Sequence, residues 1–227
     1  MSIEQPEKGK ISFMWFNNYA GIIIRTPSVS LVIDPVGVKP DFFEEVDAVL
    51  ITHEHFDHLD EILVRELHRR TNCTVVADRT SASRIRRFIS EGKLEVVKSG
   101  VEVSIGKVKV RAEECNHPPA STPVTYLITS EDDITIFHTA DSLPFPRMRE
   151  IGEKFKPNIT FCTVGIAPGA SPRTGVEIAI MVKPEIAIPY HARTTMELRR
   201  FAEILKNELP QVKCMLIEKG KVYTYPE

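Results

Sequence analysis

One short stretch constrains this chain more than any other: Thr52-His53-Glu54-His55-Phe56-Asp57-His58, directly after the apolar run Val46-Asp47-Ala48-Val49-Leu50-Ile51. Three of the 7 histidines and one aspartate are packed into it. A short apolar run bounded by polar residues reads as a buried strand, so the cluster is delivered at a strand's end. Imidazole nitrogen and carboxylate oxygen are donors that borderline divalent ions accept. In extended chain alternate side chains point the same way, so His53 and His55 can converge on one ion. Asp57 and His58 then open an expected helix over 59–70 and aim at a neighbouring position, which leaves room for a second ion.

The rest of the chain can supply a scaffold. With 227 residues, 42% hydrophobic and 26% charged, it has the composition of a soluble globular protein able to bury a sizeable core. No Pro/Gly/Ser-rich linker or charge run divides it, so residues 1–227 are read as one domain. A formal charge of -2 gives no global drive toward nucleic acid or membrane. Arg65, His68, Arg69 and Arg70, then Arg79, Arg84, Arg86 and Arg87, are basic clusters in or beside two expected helices and read as solvated outer faces. Cys73, Cys115, Cys162 and Cys214 form no C-x-x-C pair, which argues against a zinc knuckle or a thioredoxin-type centre and for reduced, mostly buried thiols. The start Met1 to Lys8 lacks the apolar core of a secretory signal, and no apolar run approaches a membrane span; the protein is expected to be soluble and cytoplasmic.

In chain order, β-rich runs over 11–16, 20–25 and 29–34 read as a meander at a sheet edge. Strands over 47–51 and 73–77, alternating with helices over 59–70 and 80–91, give a β-α-β-α rhythm. Strands follow over 94–97, 101–105 and 107–112, then a hairpin over 124–129 and 134–137. A helix over 146–155 precedes a strand over 159–164. Ser171-Pro172 is an N-cap and N1 pair that starts a helix to about Val182. A strand over 185–190, a helix over 194–209, and strands over 212–218 and 222–225 close the chain.

Four separated places thus carry a His or Asp at a strand's end: the cluster at 53–58, His117 before two prolines, Asp141, and His191. If the strands' rims meet, seven donors (His53, His55, Asp57, His58, His117, Asp141 and His191) face one cavity, enough for two ions. An open coordination position then remains for water, which separates a catalytic zinc site from a closed structural one. Asp34, before Pro35, is either a turn-initiating residue or a carboxylate that orients a metal-bound histidine. His68 is expected on a solvated helix face and His138 to be packed.

The order H-x-H-x-D-H, then His, Asp and His, interleaved with strands and helices from about Ile11 to Glu218, resembles the metallo-β-lactamase superfamily. Opening strands ending in Ile33-Asp34-Pro35 and the Ile188-Pro189-Tyr190-His191 run resemble its branch of small uncharacterised metal-dependent hydrolases related to L-ascorbate-6-phosphate lactonase. The resemblance implies an α/β (α+β) fold, a four-layer αβ/βα sandwich of two mixed sheets with helices outside and metals at one edge. It also implies His53, His55 and His117 on one metal, Asp57, His58 and His191 on a second, and Asp141 bridging. The chain departs from that branch in three places: Asn17-Asn18 stands where Gly-His is usual, Ala140-Asp141 where Gly-Asp is usual, and the loop over 165–171 lacks the Gly-Gly-x-x-Thr-Met type pattern.

Two cations about 3.5–4 Å apart lower the pKa of a shared water toward ~7, giving a nucleophile without Ser or Cys. The expected activity is hydrolysis of a small ester, lactone or phosphoester, with Asp57, Asp141 and His191 as catalytic residues; carbonyl and phosphoryl chemistry both stay open. An all-N/O donor set suits zinc best, with manganese or iron as alternatives. Arg173, Arg193 and Asn18 are candidate contacts for a small-molecule substrate, the arginines for an anionic group. Two other readings stand beside this one: an iron-dependent oxygenase on the same fold, and a nucleic-acid-processing phosphodiesterase or RNA-binding protein resting on the arginine clusters.

Overall fold

Alternation along the strands decides the layering. The computed structural model describes residues 3–226; Met1, Ser2 and Glu227, the ends of the domain expected above, lie outside it. In β1 (Ile11–Trp15), Ile11, Phe13 and Trp15 face one apolar cluster, while Met14, with Phe16 just beyond, faces another. A strand with both faces buried needs an apolar covering on each. The first cluster fills the space between two sheets, and the other two lie under helices on the outer faces.

The first sheet runs antiparallel through β1, β2 (Ile22–Arg25) and β3 (Ser30–Ile33). It continues parallel through β4 (Ala48–Ile51), β5 (Thr74–Asp78) and β6 (Leu94–Val97). Helices α1 (Glu61–Thr71) and α2 (Arg79–Ile85) make the crossovers. The second sheet repeats the plan: β7 (Glu102–Ile105), β8 (Val108–Glu114), β9 (Val124–Thr129) and β10 (Thr135–His138) are antiparallel, then β11 (Ile159–Thr163), β12 (Ile186–Tyr190) and β13 (Lys213–Cys214) are parallel. Its crossovers are α3 (Arg147–Phe155), α4 (Pro172–Val182) and α5 (Thr195–Glu208). This is the four-layer αβ/βα sandwich that the resemblance implied. Between the sheets, Phe161 meets Phe13 edge-on at 5.7 Å and Tyr190 at 5.6 Å.

Several expectations are corrected. The opening meander is not the sheet edge, because β14 (Tyr223–Tyr225) crosses from the second half and pairs with β1 at Ile11↔Tyr225 and Phe13↔Tyr223. That crossing also shortens the strand expected over 212–218. After Met215 donates its N–H to the Ala187 carbonyl at 3.1 Å, the chain leaves to reach the other sheet. The helix over 80–91 ends at Ile85 and tightens into a 3₁₀ turn, Arg86–Phe88. His68 is not solvated. It continues the Leu63, Val64, Leu67 stripe that α1 buries, and its Nδ1 lies 2.8 Å from the Cys73 carbonyl while its Nε2 accepts from the Ser90 N–H at 3.0 Å. His138 is packed as expected, fully buried, with Nε2 at 3.0 Å from the Ala20 carbonyl.

Parallel strands return through helices, so β3, β4, β10, β11 and β12 all end at the same rim of their sheets. Strand β8 lies two antiparallel steps from β10 and ends there too.

Candidate metal centre

The rim collects the donors. His53, His55, Asp57 and His58 follow β4, His117 follows β8, Asp141 follows β10 and His191 follows β12. Two of these turns, and the one after β3, take non-glycine residues into the left-handed region: Ala140 at φ 49°, His191 at φ 52° and Asp34 at φ 47°. Each such residue costs on the order of 1 kcal/mol, a strain the packed strands must hold in place.

The seven side chains form two groups: His53, His55, His117 and Asp141 in one, Asp57, His58 and His191 in the other, with ligand atoms in each within 4.8 Å of one another. In the first, His55 Nδ1 lies 3.2 Å from both His53 Nε2 and His117 Nε2. In the second, Asp57 Oδ2 is 3.8 Å from His58 Nε2 and 3.7 Å from His191 Nε2. Asp141 faces both. Its Oδ2 is 3.9 Å from His53 Nε2 and 3.6 Å from His117 Nε2, while its Oδ1 is 3.0 Å from His58 Nε2 and 2.8 Å from His191 Nδ1.

Behind the donors, Asp34 accepts from the Thr52 N–H at 2.8 Å and the Thr52 hydroxyl at 2.7 Å, and its Oδ2 sits 2.7 Å from His58 Nδ1. Of the two roles weighed for Asp34, this geometry is that of a carboxylate orienting a histidine. A proton on His58 Nδ1 leaves the Nε2 lone pair directed into the cluster.

Electrostatics divides the histidines. Burial, then the neighbouring His58, hold His53 far below the ordinary imidazole range, and burial lowers His117. At His58 burial opposes the charge, but Asp141 and Asp34 outweigh it and raise the imidazole well above its usual range. At His191 burial is likewise outweighed by Asp141 and Asp57. Burial would push the Asp141 carboxyl up, yet His58 and His191 hold it well below the usual range. Nitrogen lone pairs, and carboxylates that recruit positive charge, are what cations require. His58 Nε2, His191 Nε2 and Asp141 Oδ1 are buried without a hydrogen-bond partner among the described residues, although donors and acceptors crowd within 4 Å. Orphaned buried polar atoms are rare in native proteins. These residues fit metal binding.

Comparison with known proteins places the fold. A family model described as a beta-lactamase superfamily domain matches residues 19–195. A UPF0173 protein of Pyrococcus abyssi is 31% identical over 188 residues, covering 81% of this chain and 84% of that protein. The chain belongs to the beta-lactamase superfamily and to UPF0173. A UPF0173 metal-dependent hydrolase of Caldivirga maquilingensis is 26% identical over 234 residues, 95% of this chain and 99% of that one. Among solved structures, Igni18, a metallo hydrolase from Ignicoccus hospitalis, superposes with a TM-score of 0.81 at 18% identity, over 96% of this chain and 99% of the other; that likeness is one of fold.

The substrate candidates of this UPF0173 chain fare unequally. Arg193 and Asn18 line one cleft, with Trp15, Tyr19, Leu198 and Lys219. Arg173 lies away from it: it is paired with Glu177 at 3.2 Å and with Glu208, and does not line that cleft. Its place in the first turn of α4 turns it outward, toward α5. Asn17, standing where Gly-His is usual, folds its own turn by accepting from the N–H groups of Tyr19 at 3.0 Å and Gly21 at 2.9 Å and donating to the Val36 carbonyl at 3.2 Å. Thr52 and Glu54 were missed. Glu54 accepts from the Ser121 N–H at 2.8 Å and its carbonyl from Arg84 at 2.9 Å, tying the histidine loop to the turn after His117 and to α2. Only their place inside the histidine motif signalled them. In the basic clusters, Arg65 and Arg69 pair with Glu66, and Arg70 with Asp41, as exposed faces do.

Proposed function

We propose that this chain is a dinuclear metal-dependent hydrolase that cleaves a small ester, lactone or phosphoester. The observation that carries the reading is Asp141, whose two oxygens face the two donor groups from between them. His53, His55 and His117 would hold one cation, Asp57, His58 and His191 the other, and Asp141 would contact both. Zinc suits the N/O donor set best, with manganese and iron as the alternatives. When bound, such a pair supplies a water acidic enough to act as hydroxide near neutral pH and polarises the oxygen of the scissile group.

The chain's own residues do the rest. Burial would raise the Asp57 carboxyl, but His191 and His58 keep it below its ordinary range. It is therefore an ionised acceptor, able to ligate a cation and orient a water's O–H. Thr52 and Asp34 fix the His58 ring, and Tyr190 donates its hydroxyl to the Ala140 carbonyl at 3.1 Å, holding the turn that presents Asp141. The names of the UPF0173 relatives as metal-dependent hydrolases support the same reading. A small-molecule substrate fits the cleft beside His191 better than a polynucleotide fits an arginine face neutralised by Glu66 and Asp41. No helix among the described residues is long and apolar enough to cross a membrane.

Elemental analysis of protein purified without added metal, followed by a panel of lactone, thioester and bis-aryl phosphate substrates, tests the proposal. Two divalent ions per chain and turnover of one substrate class are expected. One iron per chain with no second metal would overturn it in favour of iron-dependent oxygenase chemistry.

A further inference from the structure

Exposed apolar surface gathers at the metal rim. Phe56 is 80% exposed within the histidine loop, Ile62 is 66% exposed in the first turn of α1, and Met196 is 76% exposed in the first turn of α5, just after His191. Phe56 and Ile62 line one hollow with Tyr19, and large apolar side chains left in water together point to a ligand rather than to the fold. Tyr19 stands among them, edge-on to Phe56 at 6.2 Å and to His191 at 6.5 Å.

Behind Tyr19 opens a cleft of about 480 Å³, floored by Trp15, Leu198 and Ile217, a size that suits a small ligand. It lies beside His191: Tyr19, which lines it, is 6.5 Å from that ring, Ala192 and Arg193 follow His191 directly, and the Ile166 N–H donates to the His191 carbonyl at 2.9 Å. Its margin carries Arg193 and Lys219. The Lys219 ammonium donates to the neutral amide oxygen of Asn18, which leaves its charge uncancelled by that contact. Arg193 Nε lies 3.2 Å from Glu197, whose carboxylate also accepts the backbone N–H groups of Arg193 at 2.7 Å and Thr194 at 3.3 Å. Glu218, the acidic residue at the margin, lies 3.8 Å from Lys221.

We propose that this cleft seats the non-reacting end of the substrate, and that this end is an apolar aryl or short aliphatic body terminating in an anionic group held between Arg193 and Lys219. The proposal rests on the hydrolase reading of the adjoining metal centre and names its substrate class: an anionic, amphipathic ester or lactone. Apolar contact with Tyr19, Trp15 and Leu198 would supply most of the affinity, and the two cations would orient the body so that its reactive end reaches Asp57 and Asp141.

Trp15 is the single tryptophan of the chain and forms a wall of the cleft, so its fluorescence reports occupancy without turnover. The zinc-loaded full chain is titrated with 4-phenylbutyrate, 3-phenylpropyl phosphate and neutral 4-phenylbutyramide. A saturable Trp15 response, with one of the two anions bound at least tenfold more tightly than the amide, is expected; which anion is preferred tells carboxylate from phosphate. In the double variant Arg193→Gln/Lys219→Gln that preference should shrink to within twofold. No saturable response, equal binding of anion and amide, or a preference that survives in the double variant would each overturn the assignment. The last outcome would mean that the anion sits on zinc instead. Anion binding at the cleft without turnover of any ester would uphold the cleft and count against the hydrolase reading, whereas ester turnover without cleft binding would do the reverse.

Discussion

Replacing Asp34 by asparagine tests whether the His58 ring is set from behind. The carboxylate has three donors to satisfy: the Thr52 N–H at 2.8 Å, the Thr52 hydroxyl at 2.7 Å and His58 Nδ1 at 2.7 Å. Asparagine has nearly the same shape but offers one oxygen and an NH₂ group. With its oxygen kept on the Thr52 N–H, the NH₂ faces His58 Nδ1. The ring then turns a lone pair toward that NH₂ and carries its proton on Nε2, the atom aimed at Asp57 and Asp141. A cation at the second group loses a ligand or must displace that proton. Loss of such a supporting carboxylate typically weakens metal binding about 10- to 100-fold, or about 1.4–2.7 kcal/mol. His53, His55 and His117 do not touch Asp34, so the loss should fall on one site of two. Competition with a chromophoric zinc chelator reads the two affinities separately, and a thermal melt confirms folding. If Asp34→Asn leaves both affinities within twofold of the parent, or weakens both equally, the tautomer argument is wrong.

Removing the cations with a chelator should lower the melting temperature, because each site held at a free metal concentration 100 times its Kd adds about 2.7 kcal/mol; a melt insensitive to free zinc would refute this. Burial, opposed by Asp34 and by the Ala20 carbonyl, lowers the His138 imidazole to about 4. Between pH 6.5 and 4 the unfolded chain therefore binds the extra proton and stability falls with acidity, by about 3 kcal/mol in all. Denaturant titrations of metal-free protein should show a shallower acid loss in His138→Gln, and an unchanged slope would remove the imidazole from the account. At Ala140→Gly, relief of the left-handed φ of 49°, about 1 kcal/mol, cancels only one of two losses of similar size, the buried methyl and the added chain entropy, so stability should fall by about 1 kcal/mol. A loss of about 2 kcal/mol or more would mean that the strain is not there.

What could be read in advance was local or periodic. The donor cluster was legible because four ligand-type residues share six positions after an apolar strand. His117, Asp141 and His191 were legible because each follows a run of strand residues, and in a sandwich of βα units such ends meet at one rim. The missing parts are those whose partners lie far along the chain. Nothing near Tyr223–Tyr225 states that it crosses to pair with β1, because register with Ile11 and Phe13 is a tertiary choice. Arg173 looked free to meet a substrate because Glu208, which takes its charge, is 35 positions away. The cleft joins Trp15 to Lys219 across nearly the whole sequence. His68 differs, since its burial follows from the helix phase it shares with Leu63, Val64 and Leu67, although its residue type is polar.

Alanine at position 140 carries the argument further than composition could. If the turn before Asp141 were set by the residue's own preference, alanine would have relaxed it to a negative φ and moved the carboxylate off the rim. Instead Ala140 keeps a left-handed φ of 49°, as do Asp34 and His191 at the ends of their own strands. The conformation must then be imposed from outside: by the β10–β11 and β11–β12 ladders, by the Tyr190 hydroxyl on the Ala140 carbonyl, and by the Thr139 hydroxyl on the Phe161 carbonyl at 2.7 Å. All of these belong to the strands packed between the sheets. The donor cluster is thus positioned by the sandwich core, and damage to Phe161 or Tyr190 should reach the donors through the strands that carry them.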